Sequence, residues 1–201
     1  IPVQPSNTAA GASISPAVQV EVQDASGNKI ANATNSITMA IGADPSGGTL
    51  SGTTPVNATS GVATFSDLSI DKAGVGYTLV VSASGLTGAT SSAFNITSSA
   101  ASKLTITVQP SNTVAGASIS PAVRVEVQDA LGNLVTTATS SIAIGIGSNP
   151  GGGTLSGTSP VNAVNGVATF SDLSIDKVGA GYRLSALDSG LTKAESAAFD
   201  I

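Results

Sequence analysis

The chain contains one sequence twice. Gln4-Pro5-Ser6-Asn7-Thr8 returns as Gln109-Pro110-Ser111-Asn112-Thr113, an offset of 105 residues. The offset runs without a gap from Ile1/Ile106 to Ile96/Ile201, and 67 of those 96 pairs are identical. Chance does not produce such a match, so the fold must be one that this chain forms twice. A unit of about 100 residues is the size of a self-sufficient domain, whereas solenoid units are shorter and lean on their neighbours. The repeat therefore predicts domain one over 1–97, a linker over 98–102 and domain two over 103–201. The chain is nine residues short of two full periods, and the nine match the join, 97–105. Domain one is thus expected to lack the start of its first strand, as a segment cut from a longer array would. The join is short and built of small residues. Its first six residues, 97–102, reach only about 20 Å when extended, which predicts two domains held end to end.

Within each copy the hydrophobic period is two. Val18, Val20 and Val22 alternate with Gln19, Glu21 and Gln23, and Val123, Val125 and Val127 repeat the pattern. Ile37, Met39 and Ile41 alternate next, then Ala63 with Phe65, then Tyr77, Leu79 and Val81. Such alternation marks half-buried strands. The 23 Gly and 9 Pro supply turns between them. Asp24, Gly27 and Asn28, matched by Asp129, Gly132 and Asn133, close one strand with turn chemistry. Seven or eight short strands per copy, separated by turns every ten residues or so, predict an all-β fold of two tandem immunoglobulin-like β-sandwich domains. A lone Tyr opens the penultimate strand of each copy, Tyr77 and Tyr182. That position resembles the tyrosine corner, in which the hydroxyl bonds back to upstream backbone.

Three segments together carry a family resemblance. They are Asp-Ala-x-Gly-Asn after a valine-alternating strand, Gly61-Val62-Ala63-Thr64-Phe65-Ser66-Asp67-Leu68, and Ala73-Gly74-x-Gly76-Tyr77. The sequence resembles the bacterial immunoglobulin-like repeats strung in tandem in invasin- and intimin-type adhesins and other large surface proteins. The resemblance covers both copies. It implies an extracellular or cell-surface location, neighbouring repeats as partners, and a stalk or spacer role. It implies no particular ligand. The Cys-Trp-Cys signature of antibody domains is absent.

Composition narrows the chemistry. There is no Cys and no His, so thiolate and imidazole metal sites and a Ser-His-Asp triad have no material. Seven basic against twelve acidic residues suit no nucleic-acid backbone, and no apolar run reaches the roughly 18 residues of a membrane span. The pairs Asp67/Asp71 and Asp172/Asp176 are the nearest approach to a glycosidase couple, and Asp24 with Asn28 to a calcium loop. Both sit where turns need such residues. Asp44 becomes Asn149 and Asn95 becomes Asp200 between the copies, so charge is not kept there. The glycine-rich stretches 44–48 and 149–153 lack the Gly-Lys-Ser/Thr ending of a phosphate loop and read as turns. The six aromatics fall at matched apolar positions, which leaves none for a sugar platform. No catalytic residue, metal or cofactor is expected. The alternative reading is a glycan- or protein-binding module of an adhesin or secreted enzyme. Its surface would be sought where the copies diverge, at 29–32 and 80–83. Open sheet edges also predict self-association into filaments.

Overall fold

The alternating valines form the inner face of one sheet in each half. A computed structural model describes all 201 residues. Every regular element in it is a strand, and the chain divides into two units, Ile1–Ser99 and Ala100–Ile201.

In unit one, strand Val18–Glu21 pairs antiparallel with Val62–Phe65, setting Val18 opposite Phe65 and Val20 opposite Ala63. Val3 bridges Gln19 on the other edge. The facing layer is built on Ser36–Ile41, flanked by Val56–Asn57 and Leu79–Ala83, and Leu79–Ala83 in turn pairs with Leu86–Thr90. Gly74–Tyr77 and Phe94–Thr97 continue these last two runs and pair with each other. The tyrosine strand is thus two segments, interrupted at Thr78, whose N–H donates to the Ala43 carbonyl at 3.3 Å while its own carbonyl accepts from Gly42 N–H at 2.8 Å. Val18, Val20 and Phe65 from one layer meet Ile37, Met39, Leu79 and Phe94 from the other in a single buried core.

The two layers are stitched by the first strand. Val3 lies with one sheet, while Thr8–Ala9 runs parallel to Ile96–Thr97 of the other. Pro5, buried between them, sits where the chain changes sheets and a ladder N–H is not required.

Unit two repeats the plan. Val123–Asp129 lies between Ala101–Val108 and Val167–Phe170. Ser141–Ser148 pairs with Val161–Asn162 and Arg183–Leu187, and Arg183–Leu187 pairs with Ala194–Glu195. The core is again one cluster, with Val123, Phe170, Ile142, Leu184 and Phe199 inside. The first strand of unit two starts at Ala101, two residues ahead of the boundary placed at 103. Ala101 stands opposite Asp129 and Lys103 opposite Gln128, so backbone pairing draws the end of the join into the sheet. Between Thr97 and Ala101 only three residues lie outside strands.

Candidate functional site

The polar side chains of both units hold backbone. Asp24 shows the pattern. Its Oδ1 accepts from the Ser26 and Asn28 N–H groups, each at 2.9 Å, and its Oδ2 from Asn28 Nδ2 at 3.1 Å. Gly27 carries φ +85°, a conformation that costs glycine nothing. In unit two Asp129 Oδ1 accepts from Asn133 N–H at 2.8 Å, with Gly132 at φ +84°. The hydrogen bonds from Asn28, before any other cause, hold the Asp24 carboxyl below its usual value.

The carboxylates considered for catalysis are spread over separate turns. Asp67 takes Thr53 N–H at 2.9 Å and Thr53 Oγ1 at 2.7 Å, and Asp172 repeats this with Thr158. The threonine hydroxyl is the main reason that both carboxyls sit below the usual range. Asp71 Oδ1 accepts from Thr49 N–H and Asp176 Oδ1 from Thr154 N–H, both at 2.6 Å. Asp44 Oδ1 takes Gly48 N–H, and Asn149 Oδ1 takes Gly153 N–H, both at 2.8 Å. Asn95 Oδ1 takes Gly76 N–H at 3.0 Å, and Asp200 Oδ1 takes Gly181 N–H at 2.9 Å. An acceptor oxygen is what each place needs, and Asp and Asn both supply one. The exchange of charge between the copies follows.

The tyrosine hydroxyls bond to upstream backbone. Tyr77 and Tyr182 are fully buried. Tyr77 Oη donates to the Lys72 carbonyl at 3.0 Å, and Tyr182 Oη to the Lys177 carbonyl at 2.9 Å. Burial, ahead of all else, raises the Tyr77 hydroxyl above its usual pKa. The glycine-rich stretches cover these hydroxyls. A Cβ at Gly48 would stand 2.8 Å from Tyr77 Oη, and one at Gly153 would stand 2.9 Å from Tyr182 Oη. Those glycines exist so that backbone can close over a phenol, a role that composition alone did not suggest.

The repeated Gln-Pro-Ser-Asn-Thr motif also gains a purpose. Gln4 Oε1 accepts from Ser92 N–H at 2.9 Å, and Asn7 Oδ1 from Asn95 N–H at 2.7 Å. Gln109 and Asn112 bind Ala197 and Asp200 in the same way, at 2.8 and 2.9 Å. Together with the bond from Ala10 N–H to the Thr97 carbonyl (2.8 Å), they lock the first strand of unit one to its last. The parallel direction matters. Thr8 lies beside Ile96, so Ile1, seven residues upstream, lies roughly 20 Å away along the strand from the point where the chain leaves. Unit one therefore admits the chain at one pole and releases it at the other. In unit two Thr113, the counterpart of Thr8, meets the same partner segment, its N–H donating to the Asp200 carbonyl at 3.0 Å.

No protein-family model matches the chain, and no curated protein matches it. Among solved structures it is similar to that of FdeC, an Escherichia coli adhesin, at 20% identity and TM-score 0.42, over 96% of this chain and 60% of that one. It is similar to a Bacteroides uniformis β-glucuronidase at 15% identity and TM-score 0.36, over 96% of this chain and 23% of the enzyme. A chimeric titin Z1Z2 tandem matches at 14% identity and TM-score 0.28, over 98% of this chain and 93% of the tandem. The chain thus spans about 60% of the adhesin structure. The assignment of all-β immunoglobulin-like sandwiches rests on the strand pairing described above.

Proposed function

We propose that this chain is a non-catalytic structural segment of an extracellular bacterial surface protein, a spacer or stalk whose partners are further repeats of the same kind. The observation that carries the reading is the parallel seam between first and last strands. Tension applied at the two ends of such a unit pulls those strands past each other. The seam bonds then bear the load together instead of opening one after another. Gln4, Asn7 and the Ala10 amide all cross this seam, and the same types recur at 109, 112 and 115. The duplication supports the reading, since a spacer lengthens by copying. So does the use of the carboxylates to hold turns.

Single-molecule pulling between Ile1 and Ile201 tests this. Two unfolding events are expected, each releasing about 100 residues, roughly 340 Å of contour. Gln4→Ala with Asn7→Ala should lower the force of one event only. A chain that extends without discrete events would refute a tension-bearing role. The same chain on glycan and protein arrays should give no hit, whereas a saturable hit would favour the binding-module alternative. Self-association into filaments belongs to this proposal as a further property, and sedimentation at rising concentration reads it directly.

A further inference from the structure

The hairpin over 164–167 carries chemistry that its counterpart over 59–62 lacks. Val164 N–H donates to the Val167 carbonyl at 2.9 Å, and Val167 N–H donates back to the Val164 carbonyl at 3.1 Å. Two residues turn between them, Asn165 at φ +50° and Gly166 at φ +79°, the signature of a type I′ turn. Asn165-Gly166 is the chain's one Asn-Gly pair, and every other Asn precedes a residue with a side chain. A backbone nitrogen can attack the side-chain amide carbon of the Asn before it, and glycine, with no Cβ, leaves that approach unhindered. In unit one the same turn is Ser60-Gly61, with the same φ values of +50° and +79°. Serine has a hydroxyl there and no carbonyl carbon to attack.

We propose that Asn165 is a self-modification site, with water as its co-reactant, which the folded hairpin holds shut and the unfolding of unit two opens. In the reaction hydroxide takes the Gly166 amide proton, and the nitrogen bonds to Asn165 Cγ. The side-chain nitrogen leaves as ammonia, and a five-membered imide remains. Water then opens the imide at one of its two carbonyls. Opening at Cγ gives Asp. Opening at the main-chain carbonyl gives isoaspartate, whose backbone runs through Cγ and is one CH2 longer. Either way one water is consumed and one ammonia released. The fold blocks the first step in three ways. Gly166 is buried, and its N–H is engaged by the Ala138 carbonyl at 3.2 Å, so hydroxide does not reach the proton. The Gly166 carbonyl accepts from Val127 N–H at 2.8 Å, which pins the residue on its other side. A type I′ turn also sets ψ of its first central residue near about +30°, and the imide ring needs a different ψ. Isoaspartate does not fit this seat. Its extra CH2 displaces Gly166 either from the hairpin's own bonds or from those to Ala138 and Val127. Each opening of unit two therefore exposes it to a permanent change that unit one, with Ser60, escapes.

The proposal does not rest on the spacer reading, and its test applies no force. The full chain is held at mildly alkaline pH, with and without enough guanidinium chloride to unfold it, and peptide mass mapping follows Asn165. Conversion should run at least about tenfold faster in denaturant, because the folded chain reacts only through its open fraction. A chain bearing Ser60→Asn should gain a second converting site at 60, again in denaturant. The parent chain is then returned to native buffer. Amide exchange at Val127 reports the seat, since its N–H donates to the Gly166 carbonyl. Molecules carrying isoaspartate should exchange there at least about tenfold faster than unconverted ones, with Val22, the counterpart in unit one, unchanged. An Asn165→Ser chain taken through the same cycle should recover slow exchange at Val127. Equal conversion in the two solvents would overturn the gate. Slow exchange at Val127 in isoaspartate molecules, or fast exchange in the Asn165→Ser chain, would overturn the link between conversion and loss of the seat.

Discussion

The tyrosine corner and its glycine cover offer the sharpest test of how each unit is held. Consider Tyr77→Phe. The ring stays in a fully buried site, so packing is kept and only the hydroxyl is removed. What is lost is the bond to the Lys72 carbonyl at 3.0 Å, worth about 1 kcal/mol between neutral groups. For a unit of this size that corresponds to a melting shift of about 4–8 °C. Now consider Gly48→Ala. The new Cβ meets Tyr77 Oη and Ile70 Cγ2, each at 2.8 Å. Overpacking of that degree costs about 1–3 kcal/mol, more than the 0.4–1 kcal/mol or so that alanine returns by stiffening the unfolded chain. The two changes should couple. With Phe at 77 one of the two clashes is gone, so Gly48→Ala costs less there than in the parent. Amide exchange of core residues, read in the full chain, gives each free energy. Additivity within about 0.3–0.5 kcal/mol would refute the claim that Gly48 is glycine because of the phenol. A Tyr77→Phe variant as stable as the parent would refute the corner bond itself.

Other expectations follow from the turns. Ser60 sits at φ +50° ahead of Gly61, and Asn165 at φ +50° ahead of Gly166. Asparagine favours that region and serine does not, so Ser60→Asn should stabilise unit one by roughly 0.5 kcal/mol, read by urea denaturation. Gly52 has φ +119°, and a Cβ there would lie 2.7 Å from the Asp67 carbonyl oxygen, so Gly52→Ala should lower the melting temperature clearly. The pH profile has a defined sign. Asp24, Asp67 and Asp172 have carboxyls held below the usual 3.8 by hydrogen bonds, so the folded chain takes up their protons less readily than the unfolded one. Stability from these groups is complete above that value and is lost as pH falls through it toward the folded values. With no His in the chain, melting temperature should stay level between about pH 5 and 8 and drop on acidification, less steeply in Asp67→Asn.

Strand positions were legible because alternation survives any detail of pairing. Val18, Val20, Phe65, Leu79 and Phe94 are all buried, as period two requires of one face. The duplication made the units legible too. The hairpin 59–62 was missed at sequence level, although Asn165-Gly166 is the strongest short turn signal there is. The serine at position 60 obscured it in the first copy. The glycine cover on the tyrosine was missed because glycine-rich stretches carry no periodicity, and the contact that explains them joins residues about 30 apart in sequence. The Gln-Pro-Ser-Asn-Thr motif stood out as a repeat marker, but its bonds reach residues 88 positions away. No local pattern reports such a distance.

The comparison of the two copies separates what a position must be from what it must do. Asp44 and Asn149 share no charge, yet each presents Oδ1 to a glycine N–H at 2.8 Å. Asn95 and Asp200 are exchanged in the opposite sense around the same bond. Thr54 and Ser159 differ by a methyl, yet each hydroxyl oxygen accepts from the neighbouring strand, at Met39 N–H (2.8 Å) and Ile144 N–H (2.9 Å). In each pair the kept property is an acceptor at a fixed point. A catalytic acid depends on its ionisable proton as well as on placement, and a swap from Asp to Asn would abolish it. A turn acceptor depends on placement alone. Divergence at constant geometry is what selection for shape permits, and it marks these polar positions as parts of a scaffold.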